Sequence, residues 1–336
     1  MRNLILPILC LIFTVSNADI IRVNNNSGIS ADYASLQQAI DSANTGDTIY
    51  LEPSSTNYGN ININKQVSIY GPGYFLAENT GQQANLNTSS VGILTLNVGS
   101  AFSSVSGIVI TNFIDIYTGN IAITRCYFTN GSTCIQFSGT SSNTNVLIAQ
   151  NFITGSISHG SNSQSYTVFW RNNFIGGTTI NTEGVGIVND FTNNIINTYS
   201  HTVRNSSFTN NIFISNNNFN LNVVGWNNGF ENNLFRTTST PVDTALGNMV
   251  GVATNLGIIF AGGSTDGQYK IIPGSLADGT GKEIPAGTPT DIGMYGGPNP
   301  YKLSGVPAIP TIYDLVVPTS NTTGGLNVTI KAKSQD

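Results

Sequence analysis

The chain has 336 residues, of which only 9% are charged, with a formal net charge of −5 and a pI near 4.9. Soluble domains typically carry about 25% charged residues, so Gly, Asn, Ser and Thr must supply most of the polar surface here. An acidic balance without clusters of Lys and Arg excludes a nucleic-acid partner, because phosphate contacts require such clusters.

The N-terminal MRNLILPILCLIFTVSNADI places Arg2 before an apolar run from Leu4 to Val15, followed by the small residues Ser16 and Ala18. That order predicts a signal peptide over residues 1–18, cleaved after Ala18. The run is too short to cross a hydrocarbon core of about 30 Å, and no later stretch offers a membrane span. Cys10 follows Leu9, where lipidation needs a small residue. The expectation is export to the periplasm, the cell surface or the medium. Removal of Arg2 from the 12 basic residues leaves 11 against 17 acidic ones, a formal charge of −6.

Next, ASLQQAIDSAN puts Leu36, Ala39, Ile40 and Ala43 on one helical face, which predicts a short amphipathic cap helix near 34–44. DTIYLEP and QVSIYGPG follow as the first short strands. From there an Asn-rich signal recurs: RCYF ending at Phe128, AQNF at Phe152, RNNF at Phe174, TNNI at Ile195, TNNI at Ile212 and ENNL at Leu234. The steps of 17 to 24 residues match one coil of a parallel β-helix with three strands per coil. NNNF at Phe219 breaks the period and is assigned to a second corner of the same coil.

Asn suits such corners because it tolerates left-handed backbone better than other non-glycine residues. Equivalent Asn side chains one coil apart can bond to one another through the donor and acceptor of the same amide. Asn151, Asn173, Asn194, Asn211 and Asn233 are therefore read as a structural ladder, with the following Phe, Ile or Leu pointing inward. β-branched runs such as VLIA and VGIV argue against disorder. Cys126 falls on the turn column and Cys134 in the apolar run CIQF, so two buried thiols are favoured over a disulfide, which an exported pair also permits. After Pro298 a proline-rich stretch leads into IYDLVVPTS and LNVTIKAKS, two strands of a C-terminal hairpin over 301–336 that would cap an exposed edge, with Lys331 and Lys333 as edge charges.

The opening from ASLQQAIDSAN through GDTIYL to SIYGPG resembles the start of the pectin-lyase-like right-handed parallel β-helix superfamily. The later segment with PGS and DIGMY resembles the closing coil of exported bacterial β-helix proteins, and the two ends together resemble uncharacterised secreted β-helix proteins of Bacteroidetes. The resemblance implies an all-β, single-stranded right-handed parallel β-helix over 19–300. It does not imply one activity, since that superfamily mixes lyases, hydrolases, esterases and proteins without known activity.

Chemistry is sparse. Lyase chemistry on uronates needs carboxylates to hold Ca²⁺ and a Lys or Arg as base, yet no lysine occurs between Gln66 and Tyr269. His159, in SHG, lacks the flanking acidic and basic motifs of polygalacturonases and is read as a turn residue. Arg125, Arg171 and Glu231 share a position before the apolar corner residue. Arg171 with Glu183, Asp190, Arg204 and His201 is the candidate catalytic group for glycoside hydrolysis. Trp170, Tyr166 and Trp226, with Tyr199 and Tyr127, are candidate sugar platforms. The chain thus reads as an exported, non-catalytic surface or extracellular module, a glycan binder or scaffold, whose partner is an extracellular polysaccharide or a surface protein. The alternative is a polysaccharide lyase or glycoside hydrolase. No cofactor or metal is expected, Ca²⁺ belonging only to a lyase.

Overall fold

The computed structural model describes residues 18–139, 143–159, 166–182, 186–216, 227–238, 242–254, 257–318 and 326–334. Residues 1–17 of the expected signal peptide, Glu183, Phe219 and Trp226 lie outside the described residues. The chain forms an all-β parallel solenoid of about eight coils. A ten-stranded sheet runs from Ile20–Val23 through Tyr166–Arg171 to Gly229–Glu231. Each coil then turns into an eight-stranded sheet of two-residue strands, from Ser90–Val91 to Leu234–Phe235, and into a seven-stranded sheet, from Ile61–Ile63 to Ser200–Val203. Among the described residues no helix is long and apolar enough to cross a membrane.

Strand alternation decides what the solenoid encloses. In Tyr166–Arg171, Tyr166, Val168 and Trp170 are buried while Thr167, Phe169 and Arg171 keep some exposure, as the two-residue period requires. Parallel register then superposes Trp170, Phe191, Phe208 and Phe230. Their rings stack with centroids 5.4, 4.8 and 4.9 Å apart, close to the ~4.8 Å between strands. The cap helix is Leu36–Ser42; the Ser35 hydroxyl accepts from the Gln38 N–H, and Leu36, Ala39 and Ile40 are buried against the first strands.

The Asn pairs divide their work. The first position of each corner, Gln150, Asn172, Asn193, Asn210 and Asn232, has φ between 52° and 58°. The second position, Asn151, Asn173, Asn194, Asn211 and Asn233, is fully buried. From coil to coil its backbone N–H donates to the next Oδ1 at 2.9 Å, and its Nδ2 donates to the same oxygen. Asn248 continues this ladder at one end, and the Cys126 N–H donates to Asn151 Oδ1 at the other.

Two expectations about these corners change. Because side chains alternate, a ladder Asn that faces inward sends the next residue outward. Phe152, Phe174, Ile195, Ile212 and Leu234 therefore form a second apolar layer outside the solenoid, and Ile153, Ile175, Ile196, Phe213 and Phe235 enter its interior. Register also pairs Tyr127, not Phe128, with Phe152. Arg125 thus lies at the left-handed corner, while the column of Arg171 holds Ala149, Thr192, Thr209 and Glu231.

The outer layer is covered by the C-terminal segment, which runs back along the solenoid as a strap. Among the described residues the strands of the three parallel sheets stop at Phe235, and the stretch resembling a closing coil passes over the outer face instead. Its glycines and prolines suit close approach better than ladder pairing; a Cβ on Gly293 would lie 2.8 Å from the Ile212 Cδ1 atom of the outer layer. Corner side chains grip its carbonyls in reverse order: Asn232 donates to Thr280, Asn210 to Lys282, Asn193 to Asp291, Asn172 to Met294 and Gly296, Gln150 to Pro300 and Arg125 to Val306. Beneath it Phe152 and Phe174 stack at 4.4 Å, and Tyr269 stacks on Phe174 at 4.7 Å.

The C-terminal hairpin forms from antiparallel strands Thr311–Val316 and Thr329–Lys333. The strap carries it to the first coils, not across the last one: the Ala84 N–H donates to the Ile312 carbonyl and Lys333 Nζ donates to Gln82 Oε1. Lys331 pairs with Asp314 at 2.7 Å. Cys126 and Cys134 are separate, buried, free thiols, each pushed up to about 12 by burial.

Candidate functional site

Two of the candidate catalytic residues meet. Arg171 Nη2 donates to Asp190 Oδ2 at 2.5 Å, and its Nη1 donates to the Asp190 carbonyl at 2.7 Å. The Thr192 hydroxyl donates to Asp190 Oδ1 at 2.8 Å, so both carboxylate oxygens are engaged within the chain. Arg171 also lies 5.3 Å from the Phe169 ring centre and borders a cleft of about 290 Å³ with Leu147, Thr192, Pro298 and Asn299. Arg204 stands apart, at the corner leading into Ser206–Thr209, whereas Arg171 occupies the other end of the same sheet.

His201 is not a surface partner of this pair. It is buried beside the Thr198 hydroxyl, which it meets through Nε2, and burial holds its pKa down at about 3. An unfolded His201 takes a proton near its ordinary value of about 6.5, while the folded one resists to about 3. Between those values the unfolded chain binds the extra proton, so stability falls as pH falls, by up to about 1.4 kcal/mol per pH unit. Urea unfolding at pH 7, 5.5 and 4.5 should show this decline, and His201→Gln should flatten it. An equally steep decline in the variant would assign the effect elsewhere. His159, read as a turn residue, instead ends the strand Ser156–His159 and stacks on Phe137 at 6.4 Å.

The aromatic candidates are mostly enclosed. Trp170 is fully buried, with Nε1 donating to Asn189 Oδ1 at 3.0 Å. Tyr166 is buried and its hydroxyl donates to the Ser138 carbonyl. Neither presents a face to a ligand, because both sit at inward positions of their strand. Tyr127 packs between Phe75 and Tyr74 near the strap. Tyr199 is 67% exposed.

The surface that does present repeated chemistry is the outer face of the seven-stranded sheet. Register places Asn62, Thr95, Asp115, Gln136, Ser158, Asn181 and Thr202 in one outward column, with rungs about 4.8 Å apart. Tyr117 lies beside it, and the neighbouring Asp115 carboxylate raises the Tyr117 pKa. The Asp115 Oδ1 atom is buried and finds no donor among the described residues. The signal for this column is present in the sequence as single polar residues between apolar ones, in INI, LTL, IDI and IQF. It is outweighed there by the louder Asn pairs.

Among the described residues no group of three or more His, Cys, Asp or Glu side chains gathers as a metal site. Compared with known proteins, the chain matches no family model, no curated protein and no solved structure.

Proposed function

We propose that this chain is an exported, non-catalytic solenoid of the right-handed, pectin-lyase-like kind, akin to secreted Bacteroidetes proteins, that binds an extracellular polysaccharide along its seven-stranded face. The observation that carries the reading is the outward column from Asn62 to Thr202, one neutral or singly charged polar side chain per coil. Hydroxyls and carboxamides offer both donor and acceptor to sugar hydroxyls, and a regular axial repeat suits an extended polymer. The non-catalytic part rests on Asp190, whose oxygens are held by Arg171 and Thr192, whereas glycoside hydrolysis needs two carboxyl groups free to act across the scissile bond.

The test is migration of the chain from Asp19 onward in native gels containing neutral or acidic polysaccharides, with reducing ends and unsaturated products assayed in parallel, with and without Ca²⁺. Retardation without product is the expected result, and Gln136→Leu combined with Asn181→Leu should weaken it about tenfold, the loss of one or two net hydrogen bonds. Product release that disappears in Asp190→Asn would replace this reading with a polysaccharide lyase or glycoside hydrolase. Migration unchanged by every polymer would sink glycan binding and direct attention to a surface-protein partner.

A further inference from the structure

Where the polar face ends, three consecutive coils enclose a pocket of about 210 Å³ lined by Asn197, Tyr199, Ile214, Ser215, Asn216 and Arg236. Its walls are fixed by the backbone ladder. The Asn197 N–H donates to the Ile175 carbonyl, the Ile214 N–H to Ile196 and the Arg236 N–H to Phe213, which sets Asn197, Ile214 and Arg236 on successive rungs. Tyr199 directly precedes Ser200–Val203, the strand whose Thr202 closes the outward column, and its N–H is held by the Thr178 carbonyl.

Arg236 gives the pocket its character. The side chain is half-buried, and Nη1 donates to the Ile214 carbonyl at 3.3 Å. Arg22 and Arg171 each pair with a carboxylate, but Arg236 has none among the described residues. A guanidinium with no carboxylate partner among the described residues, beside two carboxamides and an exposed phenol ring, is complementary to an anion carried on a polar ring. Small-molecule clefts usually measure about 300–1,000 Å³, so a pocket of about 210 Å³ admits roughly one sugar ring.

We propose that this pocket is a subsite for one acidic sugar unit at the end of a glycan. Its carboxylate or sulfate meets the planar fork of Arg236, its ring lies on Tyr199, and its hydroxyls bond to Asn197 and Asn216. The inference rests on the reading of the seven-stranded face as glycan-binding, and it adds a charge preference and an end to that surface.

Calorimetric titration of the chain from Asp19 onward with glucuronate, glucose 6-sulfate and glucose tests it, with gel retention by a neutral polysaccharide measured on the same samples. At least one acidic sugar should bind about tenfold or more tightly than glucose, and the two acidic arms separate carboxylate from sulfate. Arg236→Gln should erase the difference and Arg236→Lys should restore part of it. Tyr199→Ala, at an exposed position, should weaken all sugars and keeps the test open if Arg236→Gln does not fold. Equal binding of acidic and neutral sugars, or an acid preference that survives in Arg236→Gln, would overturn the subsite even with polymer retention intact. Acid-selective binding lost in Arg236→Gln, with no polymer retained by the unaltered chain, would support the pocket and overturn the reading of the face.

Discussion

Asn194→Ala is expected to destabilise the solenoid by about 3–5 kcal/mol, because it strips partners from several buried groups at about 1–3 kcal/mol each. Asn194 Oδ1 accepts from both the backbone N–H and the Nδ2 of Asn173, at 2.9 and 3.0 Å. Its own Nδ2 donates to the Trp170 and Thr192 carbonyls and to Asn211 Oδ1. Bulk solvent does not reach this position, since Asn173, Asn194 and Asn211 are all fully buried. Truncation leaves the Asn173 N–H without an acceptor inside the solenoid and opens a small cavity. Asn205→Ala provides the contrast: that exposed corner residue has φ of 49° and is expected to lose only about 1 kcal/mol of left-handed tolerance. Urea unfolding of the two variants, with amide exchange at Asn173, separates the cases. Equal losses would mean that Asn is selected at the corners for backbone conformation and that the ladder adds little.

Asp266→Ala is expected to release the strap while leaving the coils folded, at a cost of about 3–5 kcal/mol to strap docking. The cost comes from several buried donors left without an acceptor, at about 1–3 kcal/mol each. Asp266 is fully buried, and its carboxylate accepts from Asn79 Nδ2, the Ser264 hydroxyl, the Tyr301 hydroxyl and the Ser304 N–H. Tyr301 in turn shares a 2.7 Å hydrogen bond with Tyr74. Burial pushes both phenols far above their ordinary range, so they stay neutral and available as donors. These bonds tie strap residues 301–304 to the loop at 74–79, more than 180 residues earlier. Without the carboxylate, its donors face one another with no acceptor between them. Amide exchange should then quicken at Ile292 and Gly293, whose N–H groups bond to Ala277 and Asn210, while Asn173 and Asn194 stay protected. Unchanged exchange at Ile292 and Gly293 would show that the apolar layer holds the strap unaided. Loss of protection throughout would show that strap and coils unfold as one unit.

Local chemistry in the chain is enough to read the coil. The recurrence of Asn pairs every 17 to 24 residues, the cap helix signal and the β-branched strands all report short-range preferences, and those preferences are repeated coil after coil. The ladder from Asn151 to Asn233 was legible for the same reason, because an amide that carries donor and acceptor can bond to its own copy on the next coil. Register was less legible. Cys126 stands in the ladder column without being Asn, so counting from Phe128 places Arg125 one residue out of step.

The candidate site was legible only in part. Arg171 and Asp190 do meet, but as an ion pair closed on itself, and Trp170 and Tyr166 turn inward because strand parity, not aromatic character, decides their side.

By itself, then, the sequence determined the parallel solenoid, its period and its Asn corners, since each depends on residues within one coil and its neighbour. Only the tertiary structure decided which face each column occupies, that the C-terminal segment doubles back as a strap over Phe152, Phe174 and Leu234, and that Tyr199 and Arg236 share a pocket. Those outcomes depend on contacts between distant parts of the chain, or on a one-residue choice of register that flips every side chain, and neither leaves a periodic trace in the sequence.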